Sequence, residues 1–154
     1  MNKKQGFARA HTNIALLKYW GKVDSDLILP ANDSISLTLD KFYTDTKVTF
    51  SDDYTSDRFY LNRHLMNPKK MQRVNRVLEA VKNEFGYQGY AKIESENHVP
   101  TSAGLASSAS GMAALAGAAV DALGDVSDLN NLSRFARLGS GSASRSIFGG
   151  IVHW

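Results

Sequence analysis

The sequence predicts a single α/β (α+β) domain, a mixed sheet packed with helices, on three observations. Stretches of strand-type alternation fill the first half of the chain. An amphipathic helical pattern opens at Pro68 and is followed by another alternating stretch, then by residues 105–122, helical and poor in bulk, and a third helix over 129–138. A length of 154 residues suits one domain with a real core.

Taken in order, FARAHTNIALL (7–17) is apolar and β-leaning. SISLTLDKFYTDTKVTFSD (34–52) alternates: Ile35, Leu37 and Leu39 fall on one face, and Val48 and Phe50 share a face further on. DRFYLN (57–62) is a further short strand, completing a meander. Pro68 then suits the first turn of a helix, where its missing N–H would have no partner anyway. Met71, Val74, Val77, Leu78, Val81 and Phe85 follow at helical spacing, and Gly86 lies just past the end. YAKIESEN (90–97) alternates as a strand, 105–122 reads as an Ala-rich helix, and 129–138 as a third helix capped by Gly139. SIFGGIVHW (146–154) starts one more strand. An apolar strand that stops at Trp154, without a polar tail or sheet neighbours, is expected of a domain of a longer protein or a fragment.

Composition sets the class. Hydrophobic residues at 43% and charged residues at 21% describe an ordinary globular domain. No apolar run is long enough for a bilayer, and MNKKQGFARA lacks a secretory hydrophobic region. With no cysteine, disulfide and thiolate chemistry are excluded, and a cytoplasmic setting is expected. His11, His64, His98 and His153 show no metal-ligand spacing. A net charge of +3 is mild and decides little about partners.

Three segments carry the chemistry. VPTSAGLASSASG (99–111) has no charge and little side chain, so a ligand can approach its backbone. A helix starting near Leu105 would aim unpaired N–H groups and its positive end at that ligand, with Ser102, Ser107, Ser108 and Ser110 adding hydroxyls. These are the physics of a phosphate cradle, without the Walker A ending or the dinucleotide glycine spacing. Close helix packing through Ala103, Ala106, Ala109, Ala113, Ala114 and Ala116 explains the same residues equally well. In RLGSGSASRS (137–146) a Gly/Ser turn offers concave N–H groups and Arg145 a bidentate fork, although a cap followed by a flexible turn is the plainer reading of that stretch by itself. LLKYWGK (16–22) clusters Lys18, Tyr19, Trp20 and Lys22 at a strand end, as a nucleic-acid surface, a walled anion pocket or a snorkelling lysine beside a half-buried Trp would. Three anion-friendly segments together favour a phosphorylated ligand and a second phosphate donor. Lys69 and Lys70, opposing a helix dipole, add a weaker sign in the same direction.

ARAHTNIALLKYWGK, ANDSISLTLD, VPTSAGLASSASG and RLGSGSASRSIFGG, in this order, resemble the diphosphomevalonate decarboxylase family. That family belongs to the small-molecule kinase superfamily, with galactokinase, homoserine kinase and mevalonate kinase. GLASSAS marks only the superfamily; KYWGK and GSGSASRS are far more specific. The resemblance implies that residues 1–154 form an N-terminal ATP- and substrate-binding domain with a sheet like ribosomal protein S5 domain 2. It implies ATP and Mg²⁺, and a reaction in which the tertiary hydroxyl of mevalonate 5-diphosphate is phosphorylated. Phosphate and carbon dioxide then leave, giving isopentenyl diphosphate on the mevalonate route to isoprenoids. The expected partner is a small-molecule diphosphate, not nucleic acid or membrane, with a homodimer for the full-length form.

By the same resemblance the nucleotide meets Ser95, Gly104, Leu105, Ala106, Ser107 and Ser108, the last two donating to its phosphates. The substrate meets Asn13, Tyr19, Trp20, Gly21 and Lys22, then Ser140, Gly141, Ser142, Ala143, Ser144 and Arg145. Asn13 orients this constellation, Trp20 walls the pocket and Arg145 reaches the acidic groups. Lys18 stands as the catalytic residue, neutralising charge on the transferring phosphoryl group. No metal ligand is assigned. Ser144 replaces the cysteine of many members, keeping size and a donor. The family runs to roughly twice this length. Its second half holds a ferredoxin-like domain, a further substrate arginine and the aspartate that engages the tertiary hydroxyl. Asp24, Asp26, Asp33 and Asp121 read as turn or cap residues rather than that aspartate, so the chain alone is expected to be an inactive half. Two other readings stand beside this one: a non-enzymatic anion- or nucleic-acid-binding module of the same fold, and a kinase without decarboxylation. KYWGK and GSGSASRS weigh against the kinase.

Overall fold

The computed structural model describes residues 3–100, 107–125 and 128–154. Strand β1 (Lys4–Leu17) runs antiparallel to β4 (Ile35–Ser51) along nearly its whole length, from Lys4 opposite Phe50 to Leu17 opposite Ile35. The register slips between His11 and Asn13, as at a bulge, and the two strands divide there into an inner and an outer half. Between them in sequence lies a small separate hairpin of β2 (Lys22–Asp24) and β3 (Leu29–Pro30). On the other side of β4 the sheet continues with β7 (Tyr90–Asn97), antiparallel, and then β5 (Arg58–Leu61), parallel to β7, with β6 (His64–Leu65) at the edge. A parallel pair needs a crossover, which α1 (Pro68–Glu84) supplies. The short β8 (Ile151–His153) pairs with the outer end of β4, at Ile35–Leu37. With α2 (Ser107–Leu123) and α3 (Leu129–Gly139) added, this is the mixed sheet packed with helices that the sequence predicts.

Local chemistry explains the elements. Asn67 caps α1 by accepting the Lys70 N–H, and Val74, Val77, Leu78 and Val81 form its buried stripe. Gly86, at φ +63°, follows the C-cap in the left-handed region that a side chain resists. Phe85 occupies that cap and lies partly in solvent instead of continuing the stripe. Val48, Phe50, Ala91 and Ile93 on the sheet meet these residues and the alanines of α2 in one core. Helix α2 lies on β1 and β4. A Cβ on Gly6 would collide with the Ala118 carbonyl and Ala122 amide, and one on Gly117 would sit 2.8 Å from Ala8 Cβ. The packing explanation of the alanine run is therefore correct for α2.

Three expectations change. Gly139 is the last residue of α3 rather than its cap, and Ser140 caps it. Gly139 is required by packing, since a Cβ would lie 2.6 Å from Met112 Sδ and 2.9 Å from Val77 Cγ2. Residues 140–145 are no open turn: Gly141–Ile147 form a 3₁₀ helix, which shortens the expected final strand to Ile151–His153. On the outer half of β4 the apolar face points outward. Leu37 is exposed there while Ser34 and Ser36 are fully buried, because the inner face looks onto a polar cluster and not onto the helical core.

Candidate active site

Arg145, on the 3₁₀ helix, is only 4% exposed, so a charged guanidinium has been taken out of water. Its Nη1 donates to Ser34 Oγ at 2.9 Å, and Nε and Nη2 each donate to Asn13 Oδ1 at 3.4 Å. Asn13 in turn donates to Ser146 Oγ at 2.7 Å and to the Ser142 carbonyl at 3.0 Å, which ties β1 to the 3₁₀ helix. The Trp154 ring lies 5.6 Å from the guanidinium, and Tyr19 meets that ring edge-on at 5.2 Å. Among the described residues no carboxylate pairs with Arg145. Burial lowers its pKa from the ordinary arginine value, opposed by Tyr19, yet a guanidinium keeps its proton at any working pH. A buried cation held only by neutral groups is prepared for an anion.

The rest of the predicted substrate segment divides by role. Ser140 and Ser142 bring their hydroxyls within 3.2 Å of each other and are partly exposed. Ser144 Oγ donates to the Gly141 carbonyl at 2.8 Å and Ala143 is fully buried, so these two side chains shape the helix. At Gly141 a Cβ would strike the Tyr19 hydroxyl, with Ile28 Cγ2 3.2 Å away.

Lys18, Gly21 and Lys22 are exposed on the segment that leaves β1, and Tyr19 is half-buried. Trp20 is 79% exposed, and Trp154 is the aromatic beside Arg145. Asn32 stitches this segment down, accepting the Trp20 N–H at 2.7 Å and donating to the Asp33 and Lys18 carbonyls at 2.9 and 3.5 Å. Gly21, at φ +74°, lets the chain turn into the β2–β3 hairpin. Ser34, Asn32 and Trp154 escape sequence reasoning. The first two lie inside ANDSISLTLD, where strand alternation masks them, and Trp154 reads only as an aromatic at a strand end.

A second group lines a cavity of about 470 Å³ between the β5–β7 side of the sheet and the starts of α1 and α2. Ser95, Ser107 and Ser108 come together there with Lys69, Lys70 and Arg73, over Phe59, Leu61, Val74, Met112 and Leu115. Ser95 Oγ is hydrogen-bonded to Thr46 Oγ at 2.8 Å. Three cations and serine hydroxyls beside an apolar floor suit a ligand with a flat apolar part and several phosphate charges. The lysine pair foreshadows this cavity; Arg73 carries no local signal in the sequence. Ser110 faces inward instead, bonded to Thr44 Oγ at 2.8 Å. Gly104, Leu105 and Ala106, together with Ser102, lie outside the described residues.

Of the four aspartates, only Asp24 is shown in the expected turn role. Asp121 accepts the Phe7 N–H, Asp24 accepts the N–H groups of Asp26 and Leu27, and Asp33 meets His153 Nε2 at 3.0 Å. Among the described residues no three His, Cys, Asp or Glu side chains gather as a metal site.

Comparison with known proteins finds relatives along nearly the whole chain. Residues 10–154 match the family model of the diphosphomevalonate decarboxylase-like N-terminal domain. The Ganoderma lucidum diphosphomevalonate decarboxylase is 41% identical over 170 residues, covering 100% of this chain and 42% of its own length. The Saccharomyces cerevisiae enzyme is 42% identical, covering 94% and 40% respectively. The solved mevalonate diphosphate decarboxylase of Enterococcus faecalis superposes with a TM-score of 0.94 at 56% identity, over 99% of this chain and 48% of that one. A structure described as MDDEF in complex with MVAPP, AMPPCP and magnesium superposes equally well. The chain thus spans less than half the length of these relatives. With the family model and these similarities in agreement, the chain belongs to the diphosphomevalonate decarboxylase family.

Proposed function

We propose that residues 1–154 are the N-terminal ATP- and substrate-binding half of an ATP-dependent mevalonate 5-diphosphate decarboxylase, a carboxy-lyase that makes isopentenyl diphosphate. The observation that carries this reading is Arg145: buried, without a described carboxylate partner, and held by Asn13 and Ser34 beside Ser140 and Ser142. That site takes the substrate's diphosphate and acidic groups, with Tyr19 and Lys22 at its rim. The cavity of Ser95, Ser107, Ser108, Lys69, Lys70 and Arg73 shares no lining residue with it and takes the nucleotide. Its donor set fits a magnesium nucleotide. Mg²⁺, when bound with the nucleotide, would neutralise phosphate charge there, and no ligand for it is assigned among the described residues.

Within that arrangement this half binds and orients. Arg145 and the Ser140/Ser142 hydroxyls hold one end of the substrate, and Lys18 stabilises charge on the transferring phosphoryl group. The aspartate that engages the tertiary hydroxyl belongs to the second half, so residues 1–154 alone do not turn over. A buried arginine, rather than an exposed basic stripe, favours a small diphosphate over nucleic acid. The placement proposed for it is cytoplasmic, and no described helix is long and apolar enough to cross a membrane.

The test is product analysis of the full-length protein with mevalonate 5-diphosphate, ATP and Mg²⁺. Equal release of ADP, phosphate, carbon dioxide and isopentenyl diphosphate is expected. ADP without carbon dioxide would make the protein a kinase. No turnover, with salt-sensitive RNA binding that survives Lys22→Ala and Arg145→Ala, would make it a binding module.

A further inference from the structure

Ile28 has a conformation that the roles above leave unexplained. It sits at φ +53°, a region that a β-branched side chain enters only against strain. It is nevertheless 6% exposed, on a hairpin whose Val23 and Leu27 are open to solvent. The turn explains how it gets there. Asp24 Oδ1 accepts the N–H groups of Asp26 and Leu27 at 2.9 and 2.8 Å, leaving Ile28 to reverse the chain so that Asp24 can pair with Leu29 and Lys22 with Pro30. The side chain points inward, and its Cγ2 lies 3.2 Å from where Gly141 would carry a Cβ, beside the Tyr19 hydroxyl. Strain of this kind persists only where the surroundings over-determine it, most often at functional sites.

Two short strands are marginal by themselves, and the β2–β3 pair forms a sheet of its own. Its base is closed by the Ala31 N–H to Gly21 carbonyl bond at 3.3 Å and by Asn32 on Trp20. We infer that Ile28 is a positioning residue for the diphosphate site: a plug that fixes the hairpin bearing Lys22 against Gly141, the first residue of the helix that carries Arg145. The inference rests on the diphosphate reading of that site. Ile28 acts through Gly141, Tyr19 and the hairpin, which keep Lys22 and Arg145 at a set separation.

The test uses the full-length protein with Ile28→Asn, which tolerates the left-handed backbone but removes the apolar plug, and Ile28→Val, which keeps a branched plug. Three quantities are read: the Kd for inorganic diphosphate, the Kd for AMPPCP, and amide hydrogen exchange over residues 21–31. For Ile28→Asn the expected result is diphosphate affinity weakened about tenfold, faster exchange in the hairpin and unchanged AMPPCP affinity. Ile28→Val restores the diphosphate affinity. Unchanged diphosphate affinity in Ile28→Asn overturns the inference, and so does a parallel fall in both affinities, which would mean general loss of structure. The decarboxylase reading fails on a different result, an unsubstituted protein that binds diphosphate yet releases no carbon dioxide.

Discussion

Arg145 sets function against stability within one side chain. Its burial is compensated by Asn13 and Ser34 and by no described carboxylate, so the apo fold carries an incompletely compensated cation. Arg145→Met is therefore expected to leave the melting temperature unchanged or higher, while diphosphate affinity falls by about a hundredfold. Calorimetric melts and titration with inorganic diphosphate check both halves of that statement. Asp45 behaves in the opposite way. Arg9 grips it through two bonds of 2.7 and 2.8 Å, and that hydrogen bonding holds the carboxyl below the ordinary value near 3.8. A depressed carboxylate stabilises the fold above its unfolded pKa, and the contribution is lost as pH falls through the lower native value. Asp45→Asn should thus lower the melting temperature at neutral pH and flatten the acid limb of the profile below about pH 4, where the unsubstituted protein loses the same contribution.

At the scale of elements, the contact of α2 with β1 is made by missing side chains. Gly6 admits the backbone of α2 at Ala118 and Ala122, and Gly117 admits Ala8. Gly6→Ala should destabilise the domain by about 1–3 kcal/mol, the usual cost of overpacking against an element that cannot yield. Chemical denaturation is the measurement, with the midpoint falling at constant slope. Elsewhere α1 is pinned by Lys82, whose ammonium lies 3.1 Å from each oxygen of Asp57; Asp57 also accepts the Ala91 N–H at 2.6 Å. One carboxylate thereby joins the approach to β5, the helix and β7.

Across the whole molecule, the outer half of the sheet shows an apolar row to solvent. Ile14 pairs with Leu37 and Leu37 with Ile151, so three strands present three exposed side chains side by side. The chain spans less than half the length of its relatives, and an exposed apolar row of this kind is a face that further chain could cover. Leu37→Lys should accordingly destabilise the full-length protein while reducing self-association of residues 1–154 expressed alone. Thermal melts of the first and light scattering of the second decide the matter; no effect on either would place the second half elsewhere.

How far the molecule is legible in its sequence depends on the range of the forces involved. Period-two and period-3.6 patterns are local, so β7, α1 and α3 stand close to where alternation, helical spacing, Pro68 and Gly86 put them. Residue chemistry is local too, which is why the phosphate-friendly serines, the lysine–aromatic cluster and Arg145 can be picked out, and why their motifs carry the family resemblance. What folding decided is everything that requires two distant segments to meet. Leu37 faces outward and Ser36 inward because the polar cluster around Arg145, on a helix more than a hundred residues later, covers that side of β4. Trp154 rather than Trp20 stands beside the guanidinium because β8 returns to pair with Ile35–Leu37. Arg73 joins Ser95 and Ser107 only through the crossover of α1, and Ile28 acquires its meaning only where the hairpin presses on Gly141. Sequence determined which groups could bind phosphate; tertiary structure decided which of them face one another, because burial and hydrogen-bond partners are properties of the packed chain.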